Sequence, residues 1–306
     1  MSWIEERLSR PLPRGSTGTT LGSVALFFIL VQIASGALLA LYYVPSWAEA
    51  YPSVIRIAKD VTFGWLVRSV HAWSAHLLVA TVLLHLIRIF ARGSYAKPRE
   101  VTWWTGVALL GLLMGAAFSG QMLPMDDEAV KGAHVAASYA GEMGMAEIVQ
   151  GGPRVGQPML TRMFAAHVIL VPLGLIVLVG AHLALVAHHH FQGAEQLEGT
   201  SPEFLRRLGL SIAAAAGLLA ALAFIFPTAI RAPHSPDAAA AAKPLWMFLP
   251  VYQAAKFVSG PATLLLLLGP PAFVVLVPFL PRRLAKSIGA VLLASALALG
   301  IWGAAS

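Results

Sequence analysis

The stretch HAWSAHLLVATVLLH, residues 71–85, carries three histidines through a run otherwise apolar enough to lie in lipid. Imidazole in hydrocarbon is costly unless a partner takes it up, so the stretch asks what these rings hold. Its surroundings decide the class. The chain has 306 residues, 58% hydrophobic and 11% charged, and no cysteine. A spanning helix needs roughly 20 mostly apolar residues. Such runs fall near 21–44, 66–91, 103–122, 163–187, 207–227, 262–280 and 286–303. The reading is an all-α polytopic membrane protein with about seven transmembrane helices. Without cysteine the chain can supply no disulfide, iron–sulfur ligand or thioether attachment, so any such centre belongs to a partner.

The opening MSWIEERLSRPLPRGS lacks a signal-peptide apolar core and is expected to form an interfacial helix, with Trp3, Ile4 and Leu8 on its apolar side. Alternate loops place 12 Lys/Arg against 6 Asp/Glu on the side holding the N-terminus, and 9 against 8 on the other. The positive-inside rule then puts the N-terminus in the cytoplasm of a bacterial-type inner membrane. The net charge of +7 is accounted for by topology and contact with membrane lipid, and no nucleic-acid face is expected.

His71 and His85 are 14 residues apart, which on a helix means about 40° in azimuth and ~21 Å along the axis. His76 lies off that face and is read as a hydrogen-bond donor between helices. The fourth run repeats the device, with His167 and His182 separated by about 60° and ~22 Å. Both runs cross in the same direction. His71 is therefore level with His167 near the outer face, and His85 with His182 near the inner face. Two histidine pairs at two depths are what two non-covalent, bis-imidazole b-type haems require. Zinc would need tetrahedral companions that are missing at these depths.

A second regularity supports this. Gly22 and Gly36 in the first run, and Gly106 and Gly120 in the third, are also 14 apart. A flat macrocycle against a helix needs a residue without a side chain at each contact. The expected architecture is an N-terminal four-helix bundle holding two haems, 1–190, followed by three further helices, 191–306. Arg68 and Arg88, three residues outside the two histidines, are candidates for haem propionates, with snorkelling to headgroups as the alternative.

Several motifs give the chain a family likeness: FGWLVRSVHAWSAH (63–76), GSYAKPREVTWWTGV (93–107), LPMD (123–126) and VGQPMLTRMFAAH (155–167). The chain resembles cytochrome b of quinol–cytochrome oxidoreductases, and is most like the b6f form with its companion subunit fused behind. PLWMFLPVYQ (244–253) stands where the family has a PEWY-type motif. The resemblance implies a quinol:cytochrome c (bc-type) oxidoreductase subunit in a homodimer, with a Rieske-type iron–sulfur protein and a cytochrome c as partners. It also implies an outer quinol-oxidising site and an inner quinone-reducing site.

One departure touches mechanism. The glutamate of PEWY, a proton acceptor, is here Leu245, which can neither accept a proton nor hydrogen-bond to a quinol. Asp126, Asp127 and Glu128 on the loop after the third run could replace it, or could form a solvated acidic turn; Tyr252 and His134 are further candidates. His188, His189 and His190 end the fourth run, and His188 is the candidate for the inner quinone site. The alternative function is a non-bifurcating membrane electron conduit between a periplasmic redox partner and the quinone pool. A transporter reading has only Pro172 in its favour, and that proline is equally well read as a kink between haem levels.

Overall fold

The computed structural model of the protein describes residues 17–192, 201–235 and 243–305. The expected N-terminal interfacial helix therefore lies outside the described residues, as do the side chains of His189 and His190. Twelve α-helices follow one another among the described residues. They are α1 Thr17–Ala40, α2 Ala50–Lys59, α3 Gly64–Arg92, α4 Glu100–Met122, α5 Asp127–Glu142, α6 Ala146–Gln150, α7 Gln157–Ala165, α8 Val171–Gln192, α9 Ser201–Ile225, α10 Leu249–Ala255, α11 Pro261–Leu276 and α12 Arg282–Ala305. A π-helical turn, Ala166–Leu170, joins α7 to α8.

Seven stretches are long and apolar enough to cross a membrane: Thr20–Ala40, Gly64–Arg92, Glu100–Met122, Gln157–His188, Glu203–Ile225, Ala262–Phe279 and Arg282–Ala305. All seven expected spans are present, and the segment 244–259 yields only the short α10. Large apolar side chains such as Leu265 and Ile301 are more than 70% exposed, as a lipid-facing surface requires.

The chain divides into two compact units. One comprises the described residues within Met1–Tyr42, Ile57–Ser94 and Ile176–Ala229; the other comprises Tyr43–Arg56, Tyr95–Leu175 and Ile230–Ser306. In the first, α1 and α3 form the main helix pair and α9 lies against both. Gln32 on α1 ties this pair together, donating to the His71 carbonyl and to Ser74 Oγ, each at 2.6 Å. Helix α3 starts after Phe63 in a left-handed conformation, with Gly64 so close to the Ile57 carbonyl that no Cβ would fit. It ends at Gly93 (φ 72°), with Gly93 N–H bonded to Phe90 and Ser94 N–H to Ile89, a Schellman closure.

In the second unit α4 contacts α5, α7, the π turn and α11, while α10 sits on α12 and α11. Prolines 270 and 271 interrupt the backbone ladder of α11. At its end two indoles act as caps, Trp103 Nε1 donating to Val274 (2.8 Å) and Trp104 Nε1 to Val275 (3.0 Å). These carbonyls belong to the last turn, whose acceptors have no partner within the helix. At the other end Phe257 stacks on Trp302 at 5.4 Å, and Gly300 and Gly303 leave room for Pro250 and Leu249 of α10.

Val171 N–H bonds to the Ala166 carbonyl five residues back, which defines the π turn. It immediately precedes Pro172, which has no N–H to give the Val168 carbonyl. A π turn takes up one extra residue. The fifteen-residue step from His167 to His182 is therefore the helical equivalent of the fourteen-residue step from His71 to His85.

Candidate haem and quinone sites

Within the first unit, both glycine notches of α1 meet a histidine of α3. A Cβ on Gly36 would lie 3.1 Å from His71 Cε1, and one on Gly22 would lie 3.7 Å from His85 Cε1. His85 and His182 are within electrostatic reach of each other, and Arg88 is within reach of His85. Within the second unit the same device recurs, since a Cβ on Gly120 would come 2.5 Å from His167 Cε1. The glycine registry read from sequence thus meets rings at three of its four positions.

The hydrogen bonds fix which ring nitrogen is available. Ser35 Oγ donates to the Val31 carbonyl at 2.6 Å, so it can only accept from His71 Nδ1, 2.9 Å away. His167 Nδ1 lies 3.0 Å from the Ala116 carbonyl, a pure acceptor, and 3.3 Å from Ser119 Oγ. Ser119 spends its own proton on Gly115 at 2.8 Å. Both rings therefore carry hydrogen on Nδ1 and leave the Nε2 lone pair for a metal. His85 Nδ1 is buried without a hydrogen-bond partner. Side-chain-free notches and Nδ1-anchored imidazoles fit a planar iron macrocycle.

Arg68, read as a propionate candidate, directs its guanidinium to backbone, donating to Thr228 (2.7 Å) and Ala229 (2.9 Å). Trp73 Nε1 holds Phe226 at 2.8 Å, and Ser69 Oγ accepts from Thr228 N–H at 3.0 Å. One face of α3 thus grips the chain leaving α9, a role that no local motif signals. His76 lies edge-on to Trp73 at 5.7 Å, and His188 is exposed near the end of α8.

In the second unit the loop after α4 lies beside a small cleft lined by Met122, Met125, Met159 and Met163 with Trp47. Methionine supplies a soft, polarisable wall that adapts to a flat apolar ring. Among the described residues no carboxylate or histidine lines this cleft. Tyr43 holds the neighbouring backbone, its hydroxyl donating to the Leu123 carbonyl at 2.7 Å while its ring stacks on Phe164. Arg162 reaches back to the carbonyls of Glu147 (2.5 Å) and Ile148 (2.8 Å) and fills the space beside Gly151.

The three acidic candidates each hold a structural partner. Asp126 is 4% exposed and caps α5 by accepting from Ala129 N–H at 2.9 Å. Asp127 stands between Lys131 Nζ (2.6 Å) and His234 Nδ1 (3.2 Å), and Glu128 pairs with Arg231 at 2.9 Å. Asp127 N–H also bonds to the Ala232 carbonyl, and Tyr51 donates to Arg231. Together these contacts clasp residues 231–234 to the start of α5. Tyr252 on α10 is near enough to Tyr139 on α5 to help raise that phenol's pKa, after burial and Glu142, and Lys256 stands over the Tyr252 ring at 4.8 Å. Leu245 lies before α10, its carbonyl accepting from Phe248; His134 is exposed on α5.

The hydrogen bond from Lys131 holds the Asp127 carboxyl below its usual 3.8; partial desolvation opposes this and His234 adds to it. A depressed carboxyl contributes stability above its unfolded pKa and loses it as pH falls through the folded value. The Asp127 contribution to the clasp is thus expected to be complete at neutral pH and to be lost only as pH falls through the depressed value. Asp127→Asn should loosen it at any pH. Hydrogen–deuterium exchange across 230–235 reads this, and unchanged protection in the variant would refute the clasp.

A seven-span helical protein whose α1 and α4 glycines face histidines of α3 and the π turn is of the haem-binding membrane class. Residues 13–190 match the family model described as Cytochrome b/b6/petB. The chain belongs to the cytochrome b/b6 family and is a multipass membrane protein of electron transport. It is 38% identical over 283 residues to the cytochrome bc complex cytochrome b subunit of Chlorobaculum thiosulfatiphilum, covering 86% of this chain and 66% of that one, just under two thirds of the relative's length. It is 37% identical over 179 residues to cytochrome b6 of Synechococcus sp. (strain RCC307), covering 56% of this chain and 82% of that one. A solved structure titled hyperthermophilic respiratory Complex III shares the fold, with a TM-score of 0.81 and 24% identity over 96% of this chain and 86% of that chain.

Proposed function

We propose that the chain is the di-haem cytochrome b subunit of a quinol:cytochrome c (bc-type) oxidoreductase. The observation that carries this is the repeated glycine–imidazole encounter: Gly36 with His71, Gly22 with His85 and Gly120 with His167. In this reading His71 and His167 ligate the outer haem, and His85 and His182 the inner one. Gly106 completes the set of notches, Arg88 serves a propionate, and two donors of Arg68 hold backbone carbonyls. Residues 1–190 are the haem domain and 191–306 the quinone-site domain. Bound haem supplies one-electron storage, and the protein supplies ligands, spacing and exclusion of water.

The methionine-lined cleft is the proposed outer quinol site, with His188 at the inner quinone site. Of the acidic candidates, Asp127 is the one joined to a histidine, and it is the proposed ionised anchor that holds the loop beside that site. Asp126, Glu128 and Tyr252 support the walls of that site. The N-terminus is placed in the cytoplasm of a bacterial-type inner membrane. A Rieske-type iron–sulfur protein and a cytochrome c are the proposed partners, within a homodimer.

A specific observation favours a second reading. Leu245 replaces the family's acceptor, and among the described residues no carboxylate or histidine lines the cleft. A non-bifurcating conduit between a periplasmic redox partner and the quinone pool needs neither. Oxidant-induced reduction of the haems in membranes separates the two. Reduction blocked by an outer-site inhibitor is the result expected of a bifurcating subunit. Reduction only through the inner site or a partner would leave the conduit.

A further inference from the structure

Three of the four notch glycines are preceded by a hydroxyl residue: Ser35–Gly36, Thr105–Gly106 and Ser119–Gly120. The fourth is preceded by Leu21. The structure gives this pattern a consequence. Ser35 takes the Nδ1 proton of His71 at 2.9 Å, and Ser119, with the Ala116 carbonyl, attends Nδ1 of His167. Both serines direct their own protons to carbonyls of their helix, Val31 and Gly115 respectively. They are thereby locked as acceptors towards the rings. At the fourth notch, Leu21 offers no acceptor, and His85 is the histidine whose Nδ1 is buried without a partner.

An imidazole whose Nδ1–H is given to an acceptor becomes a more basic ligand through Nε2. A more basic axial ligand stabilises the ferric over the ferrous state, and outer-shell hydrogen bonds are among the protein's levers on haem potential. We propose that the residue preceding each notch glycine tunes the haem that glycine faces. Ser35 and Ser119 lower the potential of the outer haem; at the inner level Thr105, whose own proton goes to the Thr102 carbonyl, stands before Gly106, while Leu21 withholds an acceptor from His85. These are positioning residues that act through the ligands.

This rests on the two-haem reading, and the test separates the two ideas. Membranes containing the full chain are titrated potentiometrically through the visible haem bands, unaltered and as Ser35→Ala, Ser35→Thr, Leu21→Ser and His85→Ala. Two waves in the unaltered chain are required by the two-haem reading; a single wave would overturn that reading itself. The wave lost in His85→Ala is the inner haem. Ser35→Ala should then raise the outer potential by on the order of tenfold in equilibrium constant, about 59 mV for one electron, and Ser35→Thr should leave it in place. Leu21→Ser should lower the inner potential by a comparable amount. Two waves that none of these changes moves, or equal shifts in Ser35→Ala and Ser35→Thr, would overturn the tuning. If Ser35→Ala fails to load haem, the direction of the Leu21→Ser shift decides.

Discussion

Replacing His85 or His182 with alanine is expected to take haem content from about two to about one per chain, because a bis-imidazole iron loses one of its two protein bonds. Both side chains belong to the unit formed by α1, α3, α9 and α8 from Ile176 onward, where they are within electrostatic reach of each other. The outer haem should persist in each variant, since its proposed ligands His71 and His167 keep their own anchors at Ser35 and at Ala116 with Ser119. Pyridine haemochrome assay against protein mass reads the result. Retention of two haems in both variants would refute the ligand assignment, and loss of both haems would show that the levels are not independent.

The second large effect is steric and graded. Adding a methyl group at Gly120 puts a Cβ 2.5 Å from His167 Cε1 and 3.0 Å from Nδ1, closer than real side chains approach. The imidazole cannot yield cheaply, because its Nδ1 is tied to Ala116 and Ser119. Gly120→Ala should therefore displace the ring and strip the outer haem, even though alanine is the better helix former by about 1 kcal/mol. Gly36→Ala meets His71 at 3.1 Å and should weaken haem retention, whereas Gly22→Ala, at 3.7 Å from His85, should be tolerated. Haem occupancy after detergent extraction, compared across the three variants, should be lowest in Gly120→Ala, intermediate in Gly36→Ala and highest in Gly22→Ala. Equal occupancy in all three would show that the notches are ordinary small residues of membrane helices.

The fold was legible because spanning helices announce themselves by length and apolarity alone, and the seven runs match the seven helices to within a few residues. The histidine and glycine registry was legible because a 14-residue step keeps a helical face. The anchors of those histidines were harder to see. A serine that bonds back to its own helix reads the same whether or not a ring waits opposite, although the repeated Ser–Gly dipeptide was a usable signal. The clasp was invisible for another reason: His234 and Asp127 are 107 residues apart, and no local pattern reports such a meeting. Arg68 shows the limit of assigning a partner from depth alone, since the carbonyls it holds are 160 and 161 residues away.

The π turn at Ala166–Leu170 bears on how this span is compared with others. A relative whose corresponding histidines stand fourteen apart differs here by one inserted residue, and the gap in an alignment belongs inside 166–170. Placed anywhere after His182, it would slide every lipid-facing position of the span onto the wrong neighbour. Excising one residue from that turn is thus the mildest change in length the span can bear, and it would convert one spacing into the other while leaving both histidine rings on the same stripe.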